Sequence, residues 1–276
     1  MHKLIPFILL ASIFILPRTS FAVSPWMLSE GEIYYSAVHS YSTNDRGWDE
    51  SSQLRDSSCR SQTYRSNHQL EYGYSYYHTL TANLDLVDRH CGDEDYRGLG
   101  DLRLGIRGRL NVFENGKTWE VTLIVPTGYS RSNRSRPGNG EFGIEGGLAY
   151  LSRGELRDFA KRWDFITGVS VRLWAGGPAD QFLTYATVRR NIGRYGRLSM
   201  GVSADISFQN EGSSSQADFI DGTQLSDYDK LTAKINWADR LTEDWRYKVG
   251  ASRVVWGRNA GQSVKFSITF SRNWGP

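Results

Sequence analysis

Apolar and polar residues alternate along most of this chain. In "GLGDLRLGIRGRL", from Gly98 to Leu110, Leu102, Leu104, Ile106 and Leu110 share one parity. Asp101, Arg103, Arg107 and Arg109 share the other. Strand side chains point to opposite faces with period two, so the run predicts a strand with one apolar and one charged face. "RLSMGVSADISF" repeats the pattern, with Leu198, Met200, Val202, Ala204, Ile206 and Phe208 set against Ser199, Gly201, Ser203, Asp205 and Ser207.

The alternation predicts 12 strands, at 30–41, 67–77, 80–88, 99–110, 118–126, 141–151, 162–174, 181–190, 198–209, 227–237, 244–256 and 263–271. Most are about ten residues long, the length a tilted strand needs to cross a bilayer, against about five or six in soluble sheets. Long polar connections follow four odd strands (42–66, 89–98, 127–140 and 210–226), and those after even strands are mostly brief. Long loops at one end and short turns at the other mark an outer-membrane barrel. The expected fold is therefore all-β, a transmembrane antiparallel up-and-down barrel of about 12 strands with both termini periplasmic.

A bilayer fixes the register. Turning Arg103, Arg107 and Arg109 toward lipid would cost about 2–4 kcal/mol each near the midplane. They are expected in the lumen with Asp101, Glu120, Glu141, Glu145, Asp164, Arg172, Asp205, Lys230, Lys234, Arg246, Lys248 and Lys265. Such residues can fill the lumen as paired charges, or form a constriction that selects solutes. Filling is the expectation for any single residue. Trp119, Trp163, Trp237 and Trp245 are expected in a periplasmic aromatic girdle, and Trp174 and Trp256 in an outer one.

Composition adds the export route. Met1–Lys3 is a basic start, Leu4–Pro17 an apolar run, and "SFA" (Ser20–Ala22) a cleavage signal, so residues 1–22 read as a signal peptide and 23–276 as one barrel domain. Removing Lys3 and Arg18 lowers the formal charge from +3 to +1, which gives no support to nucleic-acid binding. Cys59 and Cys91 fall in the first two long connections and are expected to form a disulfide.

"GLGDLRLGIRGRL", followed by "VTLIVPTGY" and "GGPAD", resembles the outer-membrane barrel family related to the meta-pathway phenol-degradation (MetA-like) transporters. The matching residues are Gly98, Gly100, Asp101, Leu104 and Gly105, then Pro126, Thr127 and Gly128. The resemblance implies a barrel importing hydrophobic or aromatic solutes and brings no catalytic residues. The C-terminus departs from the common pattern in which the last residue is an aromatic recognised by the barrel-insertion machinery. Here Phe270 or Trp274 would serve, ahead of the final "GP".

Three functions compete. The first is a channel or transporter for a small-molecule solute. The second is a lipid-modifying enzyme of lipase type, which would need a serine and a histidine in contact at the outer leaflet. The third is a structural or adhesive barrel carried by the long first loop. "GYSRSNRSRPG" offers Ser130, Ser132 and Ser135 to the second. Its Arg131, Arg134 and Arg136 read better as a basic loop facing lipopolysaccharide phosphates. His39, His68, His78 and His90 lack metal-ligand spacing, so neither metal nor cofactor is assigned.

Overall fold

The alternating segments pair edge to edge around a closed wall. The computed structural model describes residues 24–110, 116–129, 137–138, 140–153, 163–176, 179–208 and 228–275. Its twelve long strands are β1 (Ile33–Trp48), β2 (Leu54–Ser75), β3 (His78–Cys91), β4 (Glu94–Arg109), β5 (Lys117–Val125), β6 (Gly143–Arg153), β7 (Trp163–Trp174), β8 (Gln181–Ile192), β9 (Gly196–Ser207), β10 (Asp229–Arg240), β11 (Trp245–Arg258) and β13 (Val264–Trp274). A two-residue strand, β12 (Ala260–Gly261), lies in the connection predicted to be a loop and adds one short rung to β1. All pairings are antiparallel, and β1 pairs with both β2 and β13, so the long strands leave no open edge. Closure satisfies the backbone polar groups inside lipid, where water cannot.

Burial is inverted relative to a water-soluble sheet. On β4, Leu104 is 44% exposed while Arg107 is 2% exposed. Leu70, Leu80, Leu123, Ile144, Val169, Met200, Ile235 and Phe266 continue an exposed apolar belt. Thr79, Glu145, Arg172, Ser203, Asp205 and Thr269 are buried on the inward parity. Ile33 pairs with Trp274, so the two ends of the described chain meet at one end of the barrel.

The first four strands are longer than predicted. Residues 42–66 and 89–98 were expected as loops, yet β1 and β2 pair as far as Trp48–Leu54, and β3 and β4 as far as Cys91–Glu94. The tips are tight turns. Asp49 accepts the backbone N–H groups of Ser51 (2.9 Å) and Gln53 (3.0 Å) at one. Gly92 takes φ of 63° at the other, a conformation glycine adopts without Cβ strain. Beyond the belt a strand needs neither a lipid face nor a packed face, so backbone pairing persists where hydrophobic alternation has stopped. Cys59 and Cys91 accordingly lie on strands. Their disulfide, with Cα atoms 5.5 Å apart, ties the two projecting hairpins together.

Trp174 also differs from expectation. It shares Arg172's parity and pairs with Gly143, which places it on the inward face and not in the outer girdle. The Arg172 guanidinium lies 5.8 Å from its ring centre. Trp256 does face outward, 46% exposed.

Candidate transport lumen

The inward face of β2–β8 is built from opposite charges in pairs. Arg107 donates from Nε to Glu120 (2.8 Å) and from both terminal nitrogens to Glu71 (3.0 and 3.2 Å). Glu145 accepts from Arg172 (2.7 and 2.9 Å), Ser170 (3.0 Å) and, at 3.5 Å, Arg103. Arg172 also donates to Gln181 (3.1 Å). Asp164 pairs with Arg189, and Asp101 accepts the hydroxyl of Tyr129. Arg109 lies over the Tyr76 ring at 4.3 Å. Buried charges persist only when paired and hydrogen-bonded, and this wall meets that demand.

A strap enters this network. Residues 24–29, ahead of β1, have no hydrophobic period. Thr118 donates to the Ser24 carbonyl (2.7 Å), Arg107 to the Trp26 carbonyl (3.0 Å), and the Leu28 N–H to Thr79 (3.2 Å). The Trp26 ring packs against Leu151, Ile166 and Tyr185 and under the Arg189 guanidinium at 4.9 Å. Every one of these partners faces inward, so the strap occupies the lumen at the end of the barrel that holds the termini. Toward the opposite end, Tyr129 bridges Asp101 and the Gly140 N–H (2.9 Å), which holds these two residues against the inner wall.

The other half differs. Lys230 pairs with Asp205 at 3.0 Å. Lys234, Arg246, Lys248 and Lys265 follow on the inward parity of β10, β11 and β13, which their register with buried Thr232 and Thr269 fixes. Glu141 lies in the connection before β6, beside Gly176. Arg131, Arg134, Arg136 and the loop serines lie outside the described residues, as does the predicted signal peptide.

Glu71, Arg189 and Trp26 were absent from the sequence-based set. Parity within "QLEYGYSYY" carries Glu71, since Leu70 and Tyr72 flank it on the apolar face, and Arg189 shares Thr187's parity on β8. Nothing periodic marks Trp26. Among the described residues no three His, Cys, Asp or Glu side chains gather as a metal site.

The histidines stay apart from the lumen network. On the lipid-facing side of β1–β2, the Tyr35 hydroxyl is 2.8 Å from His68 Nδ1, and Ser66 Oγ is 3.0 Å from His68 Nε2. His39 meets His68 edge-on. His78 lies by Ser75 and Trp119, and His90 between Asp88 and Asp95.

No protein-family model matches this chain, and no curated protein matches it. Solved structures do. The COG4313 outer membrane channel from Pseudomonas putida F1 superposes with a TM-score of 0.71 at 16% identity, covering 94% of this chain and 100% of that one. A KdgM porin in complex with oligogalacturonate gives 0.48 at 6% identity, covering 87% and 99%. A TodX monoaromatic hydrocarbon channel mutant gives 0.49 at 11%, covering 90% and 91%. The likeness to the COG4313 channel gives this chain the fold of an outer-membrane β-barrel.

Proposed function

We propose that the protein is an outer-membrane channel for small solutes, of the kind the resemblance to the phenol-degradation barrels implies. The observation that carries this reading is a polar, charge-lined lumen inside an apolar belt. The similarity in fold to the COG4313 channel agrees with it. The termini and strap then face the periplasm once residues 1–22 are removed. The hairpins, with Arg131, Arg134 and Arg136, face lipopolysaccharide, and Phe270 or Trp274 addresses the insertion machinery. The strap narrows the periplasmic mouth, so conduction passes beside it or requires it to withdraw.

The test is uptake of small aromatic acids, sugars and amino acids by liposomes carrying the refolded protein. Uptake that changes selectivity in Arg103→Ala supports the reading. A folded barrel that passes none of them overturns it.

One contact favours a second reading, a lipid-modifying enzyme. Ser66 and His68 meet on the lipid side two residues from the Tyr41–Tyr64 ring pair. The partner at the other imidazole nitrogen is the Tyr35 hydroxyl, whereas a carboxylate orients the base in Ser–His–Asp sites. Ester hydrolysis by the protein in mixed micelles, abolished in Ser66→Ala, would establish that reading. Equal activity in both proteins would remove it.

A further inference from the structure

The seat of the Trp26 ring is an apolar island on a polar wall. Leu151 of β6 pairs with Ile166 of β7, and Tyr185 of β8 pairs with Gly168 of β7. All four share the inward parity of Glu145, Asp164 and Arg189. The Tyr185 ring fills the space that a Cβ at Gly168 would need, so glycine at that position lets the ring lie close to the wall. Leu151, Ile166 and Tyr185 are buried with Trp26 packed on them, and the Arg189 guanidinium, held by Asp164, lies over the indole.

The wall reads a second part of the same residue. Arg107 donates to the Trp26 carbonyl at 3.0 Å, so a ring and a carbonyl joined through two carbons are recognised together. Arg107 already faces two carboxylates, Glu71 and Glu120. A neutral carbonyl completes its hydrogen bonds, whereas a third carboxylate would bury a charge that no cation balances. The strap meets the wall again at Gly31, whose N–H donates to the Gly73 carbonyl (2.8 Å). Gly31 takes φ of 79°, a conformation glycine adopts without Cβ strain, and it is the pivot of the strap.

A second observation points to a ligand here. The Thr187 hydroxyl is buried with no hydrogen-bond partner among the described residues, and the residue is 9% exposed. Thr187 stands between Tyr185 and Arg189 on the inward face of β8 and pairs with Ile166, three of the groups around the indole. Buried hydroxyls normally find a partner, and one that does not marks a place for water or ligand. Trp26 fills the seat and leaves this group unsatisfied.

We infer that the seat is a ligand site which Trp26 occupies in the resting channel. Its ligand is a neutral arylpropanoyl compound, an aromatic ring joined through two carbons to an amide or ester carbonyl, with a hydrogen-bonding group on the ring edge. The inference rests on the channel reading, whose substrate class and gate it names. The ligand's ring replaces the indole under Arg189, its carbonyl takes the Arg107 donor, and its edge group meets Thr187. The strap then swings out about Gly31 and clears the lumen. Because the ligand fits only the barrel whose strap has withdrawn, binding shifts the population toward the open form.

The test uses the full chain in detergent and in planar bilayers. Calorimetry should detect phenylpropanamide, about tenfold tighter in Trp26→Ala because the ring no longer competes for the seat. Phenylpropanoate should bind about tenfold more weakly than the amide. The para-hydroxy amide should gain several-fold over its parent, and Thr187→Val should abolish that gain. In bilayers the amide should raise the conductance of the native protein toward that of Trp26→Ala. If Trp26→Ala loses the heat-modifiable gel form, Trp26→Phe should show the same order of ligands with a smaller gain. A folded, conducting Trp26→Ala barrel that binds no amide, or binds amide and carboxylate alike, overturns the inference and leaves the channel reading standing. Amide binding that leaves the native conductance unchanged overturns the gate. Amide-selective binding to a barrel that never conducts supports the site and overturns the channel reading.

Discussion

The inner faces of β2–β8 and of β10–β13 with β1 arise from the same alternation and end as different materials. In the first, Arg107, Arg172 and Arg189 each meet a carboxylate, and the pairs interlock with the strap. In the second, Lys234, Lys248 and Lys265 stand among serines and threonines. Sequence had left filling and selection as alternatives for every lumen charge. The comparison teaches that pairing fills the first half, while the second sets lysines beside hydroxyl side chains on the facing wall. Arginine, with its planar fork, serves the paired half, and lysine, a mobile point charge, dominates the other.

The largest effect should come from breaking a pair in the first half. Arg107→Ala strands Glu71 and Glu120 and removes the donor to the strap. Loss of one partner of a buried pair costs about 3–5 kcal/mol. The heat-modifiable gel form should be lost at a clearly lower temperature, and conductance should rise as the strap loosens. An unchanged transition would mean that the pairs are ornamental and the contrast between the halves is one of composition only.

Next comes the clamp outside the belt. Replacing Cys59 and Cys91 together by serine removes a loop closure, spanning a sequence separation of 32, worth about 4 kcal/mol by chain entropy. Because both residues lie on projecting hairpins, the loss should stay local. Amide exchange at 54–61 and 89–95 should quicken by up to roughly 500-fold while the barrel's gel transition holds. A fall in that transition would show that the hairpins brace the wall.

Removing a charge from the second half should barely register in stability. Lys248→Gln is expected to change it by less than about 0.5 kcal/mol, as for a solvated position, while altering ion preference. A loss as large as that of Arg107→Ala would erase the distinction drawn between the halves.

The smallest effect is at the first hairpin tip. Backbone N–H donation from Gln53, then Ser51, with Arg55 beside it, holds the Asp49 carboxyl below the usual carboxylate range. A carboxyl whose folded pKa is depressed stabilises the turn fully above its unfolded value of about 3.9 and loses that contribution as pH falls through the folded value. Exchange at Ser51 and Gln53, corrected for its intrinsic pH dependence, should therefore rise below about pH 4 in the native chain and be independent of pH there in Asp49→Asn.

What sequence made legible follows the bilayer. Leu102, Leu104 and Ile106 against Arg103 and Arg107 settled the strand's register, because lipid punishes the alternative. Where lipid is absent the signal stops. Thr43–Trp48 and Leu54–Gln62 extend their hairpin through backbone pairing, and no periodicity announces it. Trp174 was misplaced by residue type when the parity of Arg172 would have turned it inward. The strap was illegible because its six residues bind through carbonyls, an N–H and one indole ring. Arg107 could be read as inward, but its pairing with Glu71, across 36 residues of chain, needed β2, β3 and β4 to pair in register.

The strap's partners set an order of assembly. Ser24 to Ser29 leave the ribosome before any strand, yet their seat is made of β3 and β4, then β5, and for the Trp26 ring β6, β7 and β8. The first residues synthesised can therefore settle only after two-thirds of the wall exists. A ring arriving that late is a natural clock: indole fluorescence from Trp26 would time the last step of maturation, separately from the insertion that precedes it.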